Sequence, residues 1–196
     1  MRTVSWGRHT APSVVRARAG LLLIASVLVV SGCASAPAPV PSETPTAAAP
    51  VFASDEEALA AATEAYAAYQ VMIDQALAAD EIDTTRFGDV LTGDALRSEL
   101  ETADMYTTRG YRSIGTSKFD SLRIQSIDLN SRVPGMSTYL CSDVSDVDVV
   151  NYKGESVVPT TRADRFPIVV EFLPSDPTSK RLLVSSSESW AGKNFC

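Results

Sequence analysis

Hydrophobic residues recur at helical spacing in the first half of the chain body and at strand spacing in the second half. From Asp55 to Ala79, large apolar and aromatic side chains stand three or four positions apart, which predicts one amphipathic helix. Ser54 and Glu57 have the spacing of a capping box, so we expect the helix to begin there. The residues expected on its buried face are Tyr66, Tyr69, Ile73 and Leu77.

Two further helices are predicted before the pattern changes. A short helix is expected over Thr84–Leu91, and a longer one over Ala95–Thr108. Gly110 follows the longer helix and is a natural C-cap, because glycine readily adopts the left-handed backbone conformation. The buried stripe of this helix is expected to contain Leu96, Leu100, Ala103 and either Tyr106 or Thr107.

After residue 110 the period falls to two, which is typical of β-strands. The alternation changes parity near Ser126, which predicts a β-bulge, and Pro134-Gly135 predicts a turn. Helices followed by an antiparallel meander indicate an α+β domain over residues 55–196. Four strands are predicted, over Leu122–Leu129, Tyr139–Val149, Phe166–Phe172 and Leu182–Trp190.

The first 32 residues have the pattern of an export signal. Four arginines and no acid precede an apolar run from Gly20 to Val30, and the first acid is Glu43. A membrane-spanning helix needs about 20 apolar residues, whereas the core of a signal peptide needs roughly 7 to 15. We therefore predict a secretory signal peptide over residues 1–32, with an uncleaved anchor helix as the alternative. In either case the chain body lies outside the cytoplasm.

The end of this signal carries a more specific motif. Val30-Ser31-Gly32-Cys33 resembles the lipobox of bacterial lipoproteins, although valine stands where leucine is commonest. The resemblance implies that the Cys33 thiol receives a diacylglycerol and that the signal is cut just before it. Buried lipid methylenes contribute about 0.8 kcal/mol each, so two chains would hold the protein on the extracytoplasmic face of the cell membrane.

Residues 33–54 are rich in alanine and proline and are predicted to form a disordered spacer.

The net charge of the chain limits the kinds of partner that it can bind. The whole chain has 17 basic and 24 acidic side chains, and removal of residues 1–32 takes away four arginines, which leaves a net charge of −11. Such a surface argues against nucleic acid and against direct binding to anionic headgroups. We expect membrane attachment to come from the lipid alone.

Two cysteines remain after Cys33 is assigned to the lipid. Cys141 and Cys196 would both lie in an oxidising compartment, where a disulfide between them is the simplest arrangement. It would close a loop of about 55 residues and stabilise the fold by roughly 4 kcal/mol in the chain-entropy model. Two free thiols are the alternative.

Familiar catalytic and metal-binding motifs are not found. The single histidine, His9, lies in the signal, which excludes histidine-based triads and zinc sites from the mature chain. Asp143, Asp146 and Asp148 lack the glycine and terminal glutamate of an EF-hand, so we interpret them as solvated strand carboxylates. We expect no cofactor and no metal.

The order of elements from Asp55 to Trp190 resembles the NTF2-like superfamily, in which a curved sheet wraps around about three helices to form a cone. The Ala/Pro-rich spacer and the ending Trp190-x-Gly192 with a last cysteine are similar to small exported lipoproteins of GC-rich Gram-positive bacteria. An NTF2-like cone often encloses a pocket, which some members use for isomerase or cyclase chemistry with tyrosine and aspartate. The candidate pocket residues here are Tyr66, Tyr69, Tyr106 and Asp143.

These observations favour a non-catalytic exported lipoprotein whose domain binds a partner protein or a small ligand at the cell surface. The absence of histidine and of any catalytic motif favours binding over catalysis. Two alternatives stay open. One is an isomerase- or cyclase-like enzyme with a tyrosine and aspartate pocket, and the other is a scaffold in a cell-envelope or secretion complex.

Overall fold

Two helices and six strands make up the part of the chain that the computed structural model describes, residues 51–128 and 135–196. The predicted α+β class is confirmed. The signal, Cys33 and most of the spacer lie outside the described residues. The elements are helices α1 (Asp55–Ala78) and α2 (Gly93–Arg109) and strands β1 (Arg112–Ile114), β2 (Lys118–Asp128), β3 (Gly135–Asp143), β4 (Asp148–Val150), β5 (Arg165–Pro174) and β6 (Leu182–Ser189).

The ends of both helices follow from local chemistry. At the start of α1, the Glu57 amide donates to Ser54 Oγ at 3.3 Å, and Glu57 Oε2 accepts from the Ala53 amide at 2.7 Å. In a standard capping box the glutamate carboxylate would accept from the amide of the N-cap residue, Ser54. Here it accepts from the amide of the preceding residue, Ala53. At the end of α2, Gly110 adopts the left-handed conformation with φ +63°, so the predicted C-cap is confirmed.

The predicted helix over Thr84–Leu91 is wrong, because only a single 3-10 turn forms there, over Phe87–Asp89. The chain leaves the helical path to pair with β6. The Thr92 amide donates to the Val184 carbonyl at 2.9 Å, and the Val184 amide donates to the Val90 carbonyl at 3.0 Å. These long-range bonds satisfy backbone groups that a helix would have used locally. Residues 51–128 and 135–196 therefore contain two α-helices where three were predicted.

The main sheet is antiparallel and has the strand order β2-β3-β5-β6. The predicted bulge is present as a register shift between Ile124 and Ser126, and a second shift lies between Asp120 and Arg123. Leu129 and the predicted Pro134 turn position lie outside the described residues. Strands β5 and β6 lie close to their predicted bounds, because strict alternation marks β5 and the pair Leu182 and Val184 marks the start of β6.

A second sheet of two strands was not predicted. Strand β3 ends at Asp143 instead of continuing to Val149, and β4 turns away to pair with β1. The loop after β1 and the loop before β4 come very close together at Gly115. This residue has φ +86°, and an added Cβ would lie 1.8 Å from the Asp146 carbonyl oxygen. Glycine is therefore required for the two loops to approach each other.

The hydrophobic core lies between the helices and one face of the main sheet. Helix α1 packs against β1, β2 and β6, and α2 packs against β6. Phe52, which precedes α1, is buried in the same cluster, so the packed region begins within residues assigned to the spacer. No helix within residues 51–128 and 135–196 is long and apolar enough to cross a membrane. Side chains almost fully removed from solvent include Phe87, Leu91, Leu140, Val170, Phe172 and Val184.

Candidate functional site

A cavity of about 360 Å³ opens between the second half of α1 and the helix-facing side of the main sheet. Its size is at the lower end of the range for small-molecule pockets. We call it the tyrosine cavity, because three tyrosines line it. Its wall is formed by Tyr66, Tyr69, Gln70, Ile73, Asp74, Leu77, Tyr106, Ser113, Ser117, Ser142, Val144, Val147, Phe166, Ile168, Ser187, Glu188 and Ser189.

The structure brings together all three tyrosines named as pocket candidates. Tyr66 and Tyr69 are three positions apart on α1, so they share a face, and their ring centroids lie 5.4 Å apart. Tyr106 comes from α2. Tyr66 also meets the ring of Phe119 edge-on at 4.8 Å, which fixes its orientation. Helix core and pocket wall are thus the same face of α1.

A tyrosine–carboxylate pair lies at the α2 side of the cavity. The Tyr69 hydroxyl donates to Glu99 Oε1 at 2.7 Å. Burial raises the pKa of Glu99, because the ionised carboxylate is poorly solvated there. Burial and the nearby Glu99 carboxylate raise the pKa of Tyr69 well above its ordinary value of 10.0. Near neutral pH the tyrosine therefore stays a hydrogen-bond donor.

A second carboxylate enters the cavity wall from the last turns of α1. Asp74 Oδ2 accepts from the Ser117 amide at 2.9 Å, and the Ser117 hydroxyl lies 2.9 Å from Asp74 Oδ1. These bonds join α1 to the loop between β1 and β2. They hold the aspartate in place while it lines the cavity.

Gln70 stands out among the polar groups of the cavity wall. The residue is only 9% exposed, yet its side-chain amide has no hydrogen-bond partner within the described parts of the chain. The hydroxyls of Ser113 and Ser142, whose residues are also buried, have none there either. Within the described residues, the side-chain atoms that are sealed from solvent without a partner are Arg162 Nε and Arg165 Nε. The polar atoms of Gln70, Ser113 and Ser142 are not among them, because the cavity gives these atoms access to water or to a ligand.

Asp143, the fourth pocket candidate, does not line the cavity. It lies at the end of β3 and accepts from the Ser145 amide at 2.9 Å, which lowers its pKa. The physical reason is strand parity. Leu140 and Ser142 face the helices, whereas Cys141 and Asp143 alternate to the opposite face. Because β3 is buried on both faces near Cys141, the sequence does not distinguish the two parities.

Four residues of the site were missed from the sequence: Gln70, Asp74, Glu99 and Ser117. A usable signal existed for two of them, since Gln70 and Asp74 continue the stripe of Tyr66 at spacings of four. The stripe was defined by its apolar members alone. Glu99 and Ser117 gave no such signal, because they reach the site through tertiary contacts with α1.

The opposite face of the sheet is covered by the end of the chain. A disulfide joins Cys141 to Cys196, with Cα atoms 5.6 Å apart. Phe195 lies edge-on to Tyr139 at 5.5 Å and to Trp190 at 6.1 Å. No group of three histidine, cysteine, aspartate or glutamate residues in the described ranges is arranged to hold a metal ion.

Comparisons with known proteins place the chain in no family. No protein-family model and no curated protein matches it. Among solved structures, the chain is similar to the intermembrane-space region of the chloroplast protein ARC6, with a TM-score of 0.48 and 14% sequence identity. The alignment covers 68% of this chain and 97% of that one. A similarity at this level does not assign the chain to a family.

Proposed function

We propose that the chain is an exported, lipid-anchored binding protein whose α+β domain takes a small ligand into the tyrosine cavity. The single observation that carries the proposal is the amide of Gln70, which belongs to a residue only 9% exposed, has no protein hydrogen-bond partner within the described residues and lines the cavity wall. Water can bond to this amide in the empty cavity, and a ligand that enters can replace that water and make the bond itself.

The anchor is supported by the sequence of the first 33 residues. A basic start, a short apolar core and the lipobox-like Val30-Ser31-Gly32-Cys33 together favour lipid attachment at Cys33 on the extracytoplasmic face. The disulfide between Cys141 and Cys196 is consistent with an oxidising compartment. Residues 33–50 would then serve as the tether between membrane and domain.

An NTF2-like arrangement is the fold that we propose within the α+β class. Its support is the element order, in which two helices and a 3-10 turn precede an antiparallel sheet. A cavity between the helices and the sheet also fits that arrangement. The cavity favours a ligand-binding role over a purely structural scaffold, because a scaffold would gain stability by filling this space with side chains.

An enzymatic role has one specific observation in its favour. Glu99 is a partly buried carboxyl with a raised pKa, and it is hydrogen-bonded to Tyr69 on the cavity wall. Raised carboxyl pKa values occur at acid–base catalytic sites. Structural carboxyls show the same shift, however, and the described residues include no histidine that could act as a base beside a serine. Binding therefore remains the leading function and proton transfer the second candidate.

Mass spectrometry of the intact protein tests whether a ligand is bound. The full chain, exported by a GC-rich Gram-positive host and purified in a mild nonionic detergent, is weighed under native and under denaturing conditions. We expect an excess native mass that disappears on denaturation. Gln70→Leu should lose that excess, whereas Gln75→Leu, at an exposed position on the same helix, should keep it. Equal native and denatured masses, together with no binding by a library of metabolites, would contradict the proposal.

The anchor is tested separately by Cys33→Ala. We expect the variant to leave the membrane fraction and to lose the mass of the lipid. A variant that still fractionates with membranes as an unmodified chain would overturn the lipid anchor and leave the cavity unaffected.

A further inference from the structure

The charge on the wall of the tyrosine cavity points to a class of ligand. Asp74 contributes a carboxylate to the wall, and Glu99 lies hydrogen-bonded to the wall residue Tyr69. No lysine, arginine or histidine is part of this wall. Such a site repels anions and favours a positive charge.

These two acids also lack a cation of the protein's own. No lysine or arginine within residues 51–128 and 135–196 lies at ion-pair distance from Asp74 or Glu99. Exposed acids such as Glu64 and Glu101 also have no such partner, but water and salt screen their charges, whereas Asp74 and Glu99 are partly buried. A cation in the cavity would therefore meet carboxylates whose charge is less screened.

Aromatic rings supply the second half of a cation site. The rings of Tyr66, Tyr69, Tyr106 and Phe166 all belong to the wall. The face of an aromatic ring attracts an ammonium group, and the attraction is worth about 2 kcal/mol or more when the site is shielded from water. A cage of rings backed by carboxylates is the arrangement by which proteins recognise ammonium ions.

The amide of Gln70 defines what the ligand carries besides its charge. It is 91% buried, faces the same cavity and offers both a donor and an acceptor. Ser113 and Ser142 add hydroxyls in buried positions. A ligand that fills the cavity displaces water from these groups, and a hydroxyl or amide on the ligand would replace the hydrogen bonds lost with that water.

From this combination we infer that the tyrosine cavity binds a small organic ammonium ion that also carries a hydroxyl or amide group. The inference rests on the proposed ligand-binding function and narrows it. A carboxylate or phosphate ligand is excluded by the acids of the wall, and a neutral polyol would leave those acids without a counter-charge.

Choline and its neutral isostere 3,3-dimethylbutan-1-ol are the probes, because they share shape and hydroxyl and differ in charge. Each is titrated to about 20 mM into the full exported chain in nonionic detergent, after dialysis against denaturant and refolding to remove any resident ligand. Calorimetry and ligand-observed NMR report binding. We expect millimolar binding of choline and at least tenfold weaker binding of the isostere.

Variants then locate the site. Asp74→Asn and Glu99→Gln should each weaken choline binding several-fold, and Gln70→Leu should weaken both probes. Glu101→Gln, at an exposed position of α2 away from the cavity, should change nothing. Glu99 is not part of the bonds between Asp74 and Ser117, so its substitution keeps the test valid even if Asp74→Asn impairs folding.

The outcomes separate the two proposals. Equal binding of choline and the isostere, or binding of neutral polyols alone, would overturn the ammonium inference and leave the ligand-binding function standing. Failure of choline to bind while the native protein still shows a co-purifying mass would do the same. Failure of choline together with the absence of any co-purifying mass would overturn both.

Discussion

The two halves of helix α1 face the same sheet and meet it in different ways. In the first half, Ala58 and Ala62 are fully buried and their small side chains let the backbone approach the core closely. In the second half, Gln70 and Asp74 open into a cavity with polar walls. The first half of the helix is therefore closely packed and stabilises the core. The second half is less closely packed and leaves a polar space in the interior.

The comparison separates side chains that stabilise the fold from side chains that leave space in the interior. The packed half belongs to the same core cluster as Phe172 and Val184, which have no exposed surface. The cavity half contains groups that add little to stability, above all an amide with no protein partner within the described residues. Substitutions in the packed core should therefore cost far more stability than substitutions in the cavity wall.

The largest effect is expected in the packed half. Phe172→Ala removes a fully buried ring and should lower the free energy of unfolding by about 3–5 kcal/mol, because a cavity is left behind. Urea denaturation followed by circular dichroism measures the change. The control is Ser142→Ala in the cavity wall, which should cost under about 1 kcal/mol. Similar losses for the two variants would refute the distinction between the halves.

A second effect concerns the outer face of the sheet. Replacing Cys141 and Cys196 together by alanine should lower the free energy of unfolding by about 2–4 kcal/mol, because the unfolded chain is no longer crosslinked. Reduction of the natural protein by a thiol should produce the same shift in urea midpoint. A double variant as stable as the oxidised protein would show that the bridge contributes little.

The third effect has the opposite sign. Gln70→Leu keeps the side-chain volume nearly constant and places an apolar side chain at a residue only 9% exposed, so we expect the free energy of unfolding to rise by about 1 kcal/mol while ligand binding is lost. Gln75→Leu, at an exposed position of the same helix, should leave stability within about 0.5 kcal/mol. A loss of stability on Gln70→Leu would mean that the amide has a structural partner.

The smallest effect is a change in pH dependence. The pKa of Glu99 is raised in the folded protein, so the folded state binds a proton more readily than the unfolded chain. The contribution of Glu99 to stability should be fully present below the ordinary value of 4.5 and should be lost as pH rises through the folded pKa. Glu99→Gln should remove that decline, and Glu101→Gln should not. Parallel stability–pH curves for wild type and Glu99→Gln, measured by denaturation from pH 4 to 8, would contradict this.

The sequence predicted those helices and strands whose own residues carry a capping motif or a clear hydrophobic period. Helix α1 begins at Asp55 as expected, because the capping residues Ser54 and Glu57 and the apolar period agree. Strand β5 alternates strictly and was located within two residues at each end. The short strands β1 and β4 could not be predicted, since three residues carry no period and their partners lie more than 30 positions away.

The candidate site was predicted in part for the same reason. Tyr66 and Tyr69 lie on the helical stripe that the sequence reveals. Gln70 and Asp74 lie on it too, but a polar residue on a helix is ordinarily solvated, so the sequence alone gives no reason to place it inside. Glu99 joins the site only through the packing of α2 near α1, which no local pattern encodes.

The bridge between Cys141 and Cys196 also determines how the domain would bear a pulling force. Strands β5 and β6 lie within the 55 positions that the bridge encloses, so tension applied at Val51 and Cys196 would pass through β3 and leave that hairpin unloaded. Mechanical extension of the oxidised domain should be shorter by roughly 190 Å of contour length than that of the reduced domain. A protein tethered to a membrane at one end would gain a domain that can be stretched without losing its last two strands.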